Sequence, residues 1–235
     1  GEMRREEIHH ISKQHPIVIV PVASIEQHAD HLPTNTDTNI CCEIAETAAL
    51  RVSSFPVLVV PPVWSGFSPH HMKFPGSITL KHHTLMNLLS EIATSIAHHG
   101  FDKILFLNGH GGNTPIVKSL RTKLAYEDNV TAIGVDYWEL PLVLKRMAEI
   151  CTIDKGFIGH AGEVETSLQL HLQRELVDES SKEWADGGRG NPSEATPEKG
   201  RLIFEACVEA VVTFIREYQN GTIEDRLSWK KDVII

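Results

Sequence analysis

The sequence predicts an α/β domain of three layers, α/β/α, around a mostly parallel central sheet. Four short apolar runs rich in β-branched residues carry the first part of that reading, at residues 17–24 (IVIVPVAS), 57–63 (VLVVPPV), 103–108 (KILFLN) and 131–138 (TAIGVDYW). Near-continuous hydrophobicity over so few residues is the mark of strands buried on both faces. The segments between them repeat apolar residues at helical spacing, and strand alternating with helix builds a parallel sheet covered on both sides.

After the first run, Ile40, Ile44 and Ala48 mark a helix; after the second, Leu85, Leu88, Leu89, Ile92 and Ile96 mark another; after the third, Ile116, Leu120 and Leu124 mark a third. Thr114 followed by Pro115 suits an N-cap and first helical position, so this third helix is expected directly after the glycine-rich turn at 109–112. Towards the C-terminus, Leu202, Ile203, Ala206, Ala210, Val211, Phe214 and Ile215 form an amphipathic helix that covers one face of the sheet. Residues 178–200 are polar, rich in Gly, Pro, Ser and Glu, and too long for an ordinary connection. A functional loop or a subunit contact accounts for such a segment.

With 235 residues, one domain over 3–235 is expected, and a chain of this size buries roughly 70 to 75% of its unfolded surface without disulfides. No run approaches the ~20 apolar residues of a membrane span, and the N-terminal residues lack a signal-type apolar core, so a cytoplasmic protein is predicted. Cys41, Cys42, Cys151 and Cys207 show no C-x-x-C spacing and read as reduced thiols. The 31 acidic residues against 22 basic ones give a formal charge of -9, which opposes a nucleic-acid partner and favours a small-molecule substrate. Fourteen histidines, several beside carboxylates, point towards metal.

In an open α/β sheet, ligands bind beyond the carboxyl ends of the strands, and three polar clusters fall at such ends here. Glu26-Gln27-His28 follows the first strand, where side chains two apart share a face of extended backbone. Asp37 lies nine residues after His28 in a turn-rich stretch able to fold back on them. These residues suit Zn²⁺ or Mn²⁺, and equally a solvated loop in which Asp37 caps the next helix. The second cluster, 108–113 (NGHGGN), sets His110 in a glycine turn that lets backbone approach a ligand closely. The third, 160–167 (HAGEVETS), opens a helix. Glu163 and Glu165 there either stabilise a helix N-terminus or join His160 as a metal ligand beside a proton-transfer group. Residues 64–76 (WSGFSPHHMKFPG) fit a substrate-pocket wall or a loop fastened by packed aromatics. Trp64, Ser68, His70, Gly111 and Gly112 are the candidate substrate contacts.

Together these residues resemble the creatininase (creatinine amidohydrolase) family. The pattern E-Q-H…H-L-P…D is met by Glu26, Gln27, His28, His31, Leu32, Pro33 and Asp37, and S-P-H-H-M-x-F-P-G is met over 68–76. N-G-H-G-G-N stands at 108–113 and H-A-G-E-x-E-T-S at 160–167. Gly190, Pro192, Ala195, Thr196, Glu198, Lys199 and Gly200 match a late stretch, so the resemblance spans residues 16–203.

The resemblance implies two divalent metal ions, Zn²⁺ or Mn²⁺ with Fe²⁺ also compatible, bridged by one carboxylate. By that likeness Asp37 is the bridge, Glu26 and His110 complete one ion's shell, and His28 helps to hold the other. Creatininase proper has a Glu two residues after the N-G-H histidine, where this chain has Gly112. Glu163 is expected to substitute, with Glu165 the alternative. The aromatic that follows that histidine in creatininase is Gly111 here, and both departures count against creatinine itself. The implied activity is hydrolysis of a C–N amide bond of a small linear or cyclic, creatinine-like substrate by a metal-activated water, with His160 as proton shuttle and Glu165 as a second catalytic group. Family relatives extend the alternatives to a formamide deformylase, a peptide-maturation peptidase and an inosose-ring hydrolase. The reading from another class is a metal- or ligand-binding protein without turnover. The family also implies a homo-oligomer, commonly a hexamer.

Overall fold

The computed structural model describes residues 2–152, 159–182 and 185–223. Its strands are Ile17–Val22 (β1), Val57–Val59 (β2), Lys103–Asn108 (β3) and Ala132–Asp136 (β4), in one four-stranded sheet of order β2-β1-β3-β4. All three pairings are parallel. The helices are Arg5–Ser12 (α1), Thr36–Arg51 (α2), His82–His98 (α3), Thr114–Lys123 (α4), Pro141–Ile150 (α5), Glu163–Leu172 (α6) and Pro197–Gln219 (α7). Parallel neighbours need crossovers, and α2, α3 and α4 supply them.

Strand alternation divides the core into two. Ile17, Ile19, Leu105, Leu107 and Ile133 face a layer built from α2, α5, α6 and α7, whereas Val20, Val22, Ile104, Phe106 and Ala132 face α3 and α4. The α/β/α architecture expected from the sequence is therefore the one observed. Each fully buried Ile, Leu or Phe in these layers contributes roughly 1.5 to 3 kcal/mol relative to exposure.

The strand limits differ from the apolar runs for local reasons. β2 stops at Val59 and is half-buried along its length, because it is an edge strand and Pro61 and Pro62 have no N–H to give a ladder. Pairing resumes only at an isolated bridge between Val22 and Val63. Tyr137 and Trp138 leave β4 into a 3-10 turn, Tyr137–Glu139. The helix after β3 takes Asn113 as its N-cap rather than Thr114, since a 3-10 turn at Gly111–Asn113 already starts the coil. α7 begins at Pro197, inside the stretch read as a loop; the Thr196 hydroxyl caps it by accepting from Lys199 N at 3.2 Å. α1, which buries no residue, and α5, which buries only Val143 and Met147, were not anticipated.

Two features of this topology position the site. β1 and β3 are neighbours, yet the chain leaves β1 for β2 on one side and returns to β3 on the other. Their carboxyl ends therefore diverge into the crevice where such sheets bind ligands. In addition, α6 is buried through its first eight residues, and α7 meets it at Gly200, where a Cβ would lie 1.8 Å from the Ser167 carbonyl oxygen. Only glycine permits that approach, and it fixes α6 one turn in from its N-terminus.

Candidate metal centre

Each polar cluster is held by its own backbone. The loop after β1 is tied by Glu26 N donating to Thr34 O at 3.0 Å and by the bridge between Ile25 and Ile78. Asp37 sits buried in the first turn of α2. At the end of β3, Asn108 clamps the glycine turn: its Oδ1 accepts from His110 N at 3.2 Å, and its Nδ2 donates to His110 O at 2.8 Å. Asp136 at the end of β4 anchors the same Asn108 Nδ2 at 2.5 Å. His160 is held by a two-way backbone bridge with Arg189, both bonds 2.7 Å. Ala29 and Ala161, each one residue past a cluster histidine, adopt φ of 53° and 50°, a left-handed conformation that costs energy in a non-glycine residue and concentrates at functional sites.

The side chains converge. Asp37 turns one oxygen to each of two histidines: Oδ1 is 3.1 Å from His28 Nε2 and Oδ2 is 3.0 Å from His110 Nδ1. Glu26 Oε1 lies 3.2 Å from His110 Nδ1, 3.5 Å from His71 Nε2 and 3.6 Å from His160 Nδ1. Glu165 Oε1 stands 3.9 Å from His28 Nε2. Ligands bonded tetrahedrally to one ion at Zn–N and Zn–O lengths lie about 3.3 Å apart, so these separations suit atoms that share a cation. Glu26 Oε2 is buried without a hydrogen-bond partner, which native proteins avoid unless an ion or water meets the group. The donor set fits a divalent metal.

Histidine tautomers agree. His28 Nδ1 donates to the Glu26 carbonyl at 3.1 Å, and His110 Nε2 to the Phe67 carbonyl at 3.2 Å. Each ring thus directs its other nitrogen at the carboxylates, the outer-shell arrangement of metal-binding histidines. Without a cation the acids must be balanced by protons. Burial lowers His28, but the charges of Asp37, then Glu165 and Glu26, outweigh it and raise the ring to about 9. Burial likewise opposes and Asp37 and Glu26 together raise His110, to about 10. Asp37 is lowered despite its burial, chiefly by His28 and His110. Burial takes Glu165 up to about 7, in spite of His28. His160 falls to about 3 through burial and then the charge on His28, and is neutral.

The expected residues do not all meet here. Glu26, His28, Asp37, His110, His160 and Glu165 are brought together, but Glu163, the expected last ligand, is not. Glu163 Oε1 pairs with Lys199 Nζ at 2.5 Å and Oε2 accepts from Thr152 N at 2.7 Å. Residues two apart in a helix lie on different faces, so the turn that sends Glu165 into the cluster sends Glu163 to Lys199. Gly112 could not have carried the carboxylate: a Cβ there would lie 2.2 Å from the Phe67 carbonyl oxygen.

A cleft of about 590 Å³ opens over the cluster and is lined by His70, His71, Gly111 and Gly112, as well as by Glu26, Asp37, His110, His160 and Glu165. Ser68 and Trp64 do not line it. Ser68 is fully buried behind His110, with its Oγ 3.1 Å from Nε2 of that ring, and Trp64 is half-exposed elsewhere. Sequence reasoning missed Tyr137, Trp138 and Glu139, which line the cleft from the end of β4. Their place at a strand's carboxyl end was the available signal. Gly187 and Arg189 also line it, so the long polar stretch contributes to the cleft.

By fold and site this is a parallel α/β protein with a histidine–carboxylate centre at its switch point. Residues 1–215 match the family described as creatinine amidohydrolase. The chain belongs to this creatininase family and is a hydrolase of that group. A mycofactocin precursor peptide peptidase of Mycolicibacterium smegmatis is 32% identical over 87% of this chain and 86% of its own. The creatinine amidohydrolase of Pseudomonas putida is 27% identical over 86% of this chain and 89% of its own. Among solved structures, a creatininase variant of the Zn-Zn type is similar with a TM-score of 0.78 at 26% identity, covering 93% of this chain and 96% of that one. No helix among the described residues is long and apolar enough to cross a membrane.

Proposed function

We propose that the protein is a metal-dependent amidohydrolase that cleaves a C–N amide bond of a small-molecule substrate. The observation that carries this reading is Asp37, whose two oxygens face two different histidines 3.1 and 3.0 Å away at the floor of an open cleft. Glu26, His110 and Asp37 would hold one divalent ion, and His28, Glu165 and the other oxygen of Asp37 a second, with Zn²⁺ or Mn²⁺ best suited to the donors. Such ions polarise the amide carbonyl and make water a nucleophile near neutral pH. His160 turns Nδ1 towards the cluster, takes the proton of the attacking water and returns it to the leaving nitrogen. The homo-oligomer expected of the family is part of the same proposal.

The test is metal content followed by turnover of formamides, lactams and peptide amides on one preparation. Two equivalents per chain are expected. Glu165→Gln should lose one of them and Glu163→Gln should keep both; the reverse pattern would return the ligand role to Glu163. Below half an equivalent, with no activity restored by Zn²⁺ or Mn²⁺, the hydrolase proposal fails.

The cleft leaves room for a substrate larger than a compact ring, such as a linear, peptide-like amide. The cleft volume of about 590 Å³ is in the range that encloses drug-sized ligands, and a Cβ at Gly111 would meet nothing within 4 Å. Gly111→Trp is therefore expected to fill open space. It should lower kcat/KM for peptide amides by about tenfold, a loss of about 1.4 kcal/mol of transition-state binding, and spare formamides. Equal losses on both would contradict the size argument.

A further inference from the structure

His71 and His160 stack over Glu26, ring centroids 4.3 Å apart and planes 25° apart, and each presents a nitrogen to Oε1 of that carboxylate. Gln27 touches both rings, and its amide orientation is fixed by backbone. Ala29 N donates to Oε1 at 2.9 Å, so Nε2 is the other atom, and it donates one proton to the Gly187 carbonyl at 2.8 Å. Its second proton has two ring nitrogens within reach, His71 Nδ1 at 2.7 Å and His160 Nε2 at 3.1 Å. His160 Nε2 lies 2.7 Å from the Gln27 carbonyl, which can only accept, so that nitrogen is itself a donor. The second amide proton therefore goes to His71 Nδ1, and neutral His71 carries its own proton on Nε2.

We infer that Gln27 is a positioning residue that turns two stacked imidazoles opposite ways towards Glu26: His160 presents a lone pair, and His71 presents an N–H. His71 is thereby an outer-sphere donor to the Glu26 carboxylate, although its distance alone would admit it as a third ligand beside Glu26 and His160. A lone pair on His71 would compete for the cation and leave the carboxylate unsupported. With its N–H inward, 3.5 Å from Oε1, the ring turns a proton and not a lone pair towards Glu26 and does not enter the metal shell. This inference rests on the amidohydrolase reading for its consequence, but its geometry can be tested without turnover.

Long-range proton–nitrogen NMR correlations on the protein, metal-free and zinc-loaded, are expected to show His71 protonated at Nε2 in both. Cadmium-loaded protein should show metal coupling to His28 and His110 and none to His71. In Gln27→Glu a carboxylate replaces the amide donor, and His71 should move its proton to Nδ1. His71→Leu should keep both metal equivalents while turnover falls about 10- to 100-fold, the usual effect of an outer-shell partner. His71→Gln, which keeps an N–H at the ε position, should recover most of it. A proton on Nδ1 in the unaltered protein, cadmium coupling to His71, or loss of one metal equivalent in either His71 variant would overturn the inference. If His71→Leu does not fold, the NMR result and His71→Gln still decide it. Failure to take up any metal would remove the hydrolase reading and leave the tautomer to be read separately.

Discussion

Asp37→Ala is expected to abolish binding of both metal ions and to lower turnover by about 10³-fold or more, because the Lewis-acid contribution lost is several kcal/mol. The size of the effect follows from geometry. Asp37 is 4% exposed, and its two oxygens are the elements common to the His28 and His110 sides of the cluster. Glu26 lies closest to the His110 side, 3.2 Å from that ring, and Glu165 stands 3.9 Å from His28. Without Asp37, each half keeps one carboxylate and loses the charge that makes a second cation tolerable. Asp37→Asn is the control for shape: it fills the same volume and removes the charge, so it should lose both ions while keeping the native circular dichroism. Retention of one full equivalent in either variant would mean that Asp37 serves a single ion and that the bridging role is wrong.

The fold was legible wherever burial is two-sided. β3 matches its apolar run residue for residue, and β1 was found although Pro21 stands in a central strand, because the interrupted pairing with β2 falls beside it. β2 was over-extended because proline leaves the apolar character of a run intact while removing its donors. The site was legible as a set of motifs at strand ends, since topology places those ends together. The choice between Glu163 and Glu165 was not legible. It depends on the rotational phase of α6, which is set by Gly200 packing on Ser167 and by Lys199, 36 residues away, claiming Glu163. Ser68 illustrates the same limit: its motif lies beside the cleft, but the chain turns its hydroxyl inward onto Ser24 and His110. His71 was hidden in the same way, since adjacent histidines give no sign in sequence of which is buried; here His70 is exposed at the rim and His71 faces Glu26.

His160→Ala is the second large effect expected, and it should separate proton transfer from metal binding. The ring donates Nε2–H to the Gln27 carbonyl at 2.7 Å, which leaves Nδ1 as its acceptor, 3.6 Å from Glu26 Oε1. With its one proton committed to that carbonyl, the neutral ring keeps a lone pair on Nδ1 for the proton of the attacking water. Loss of a general base and acid lowers rates by about 10² to 10⁴-fold, and kcat should fall by that amount while both metal equivalents remain. Its side chain is 17% exposed and borders Gly159 and Gly187 in the open cleft, so the alanine variant leaves an imidazole-sized gap reachable from solvent. Added imidazole should restore part of the lost kcat in His160→Ala and none in Asp37→Ala. If the His160 variant loses a metal equivalent, or keeps its kcat, the ring is a ligand or a bystander, and proton transfer must be assigned to Glu165.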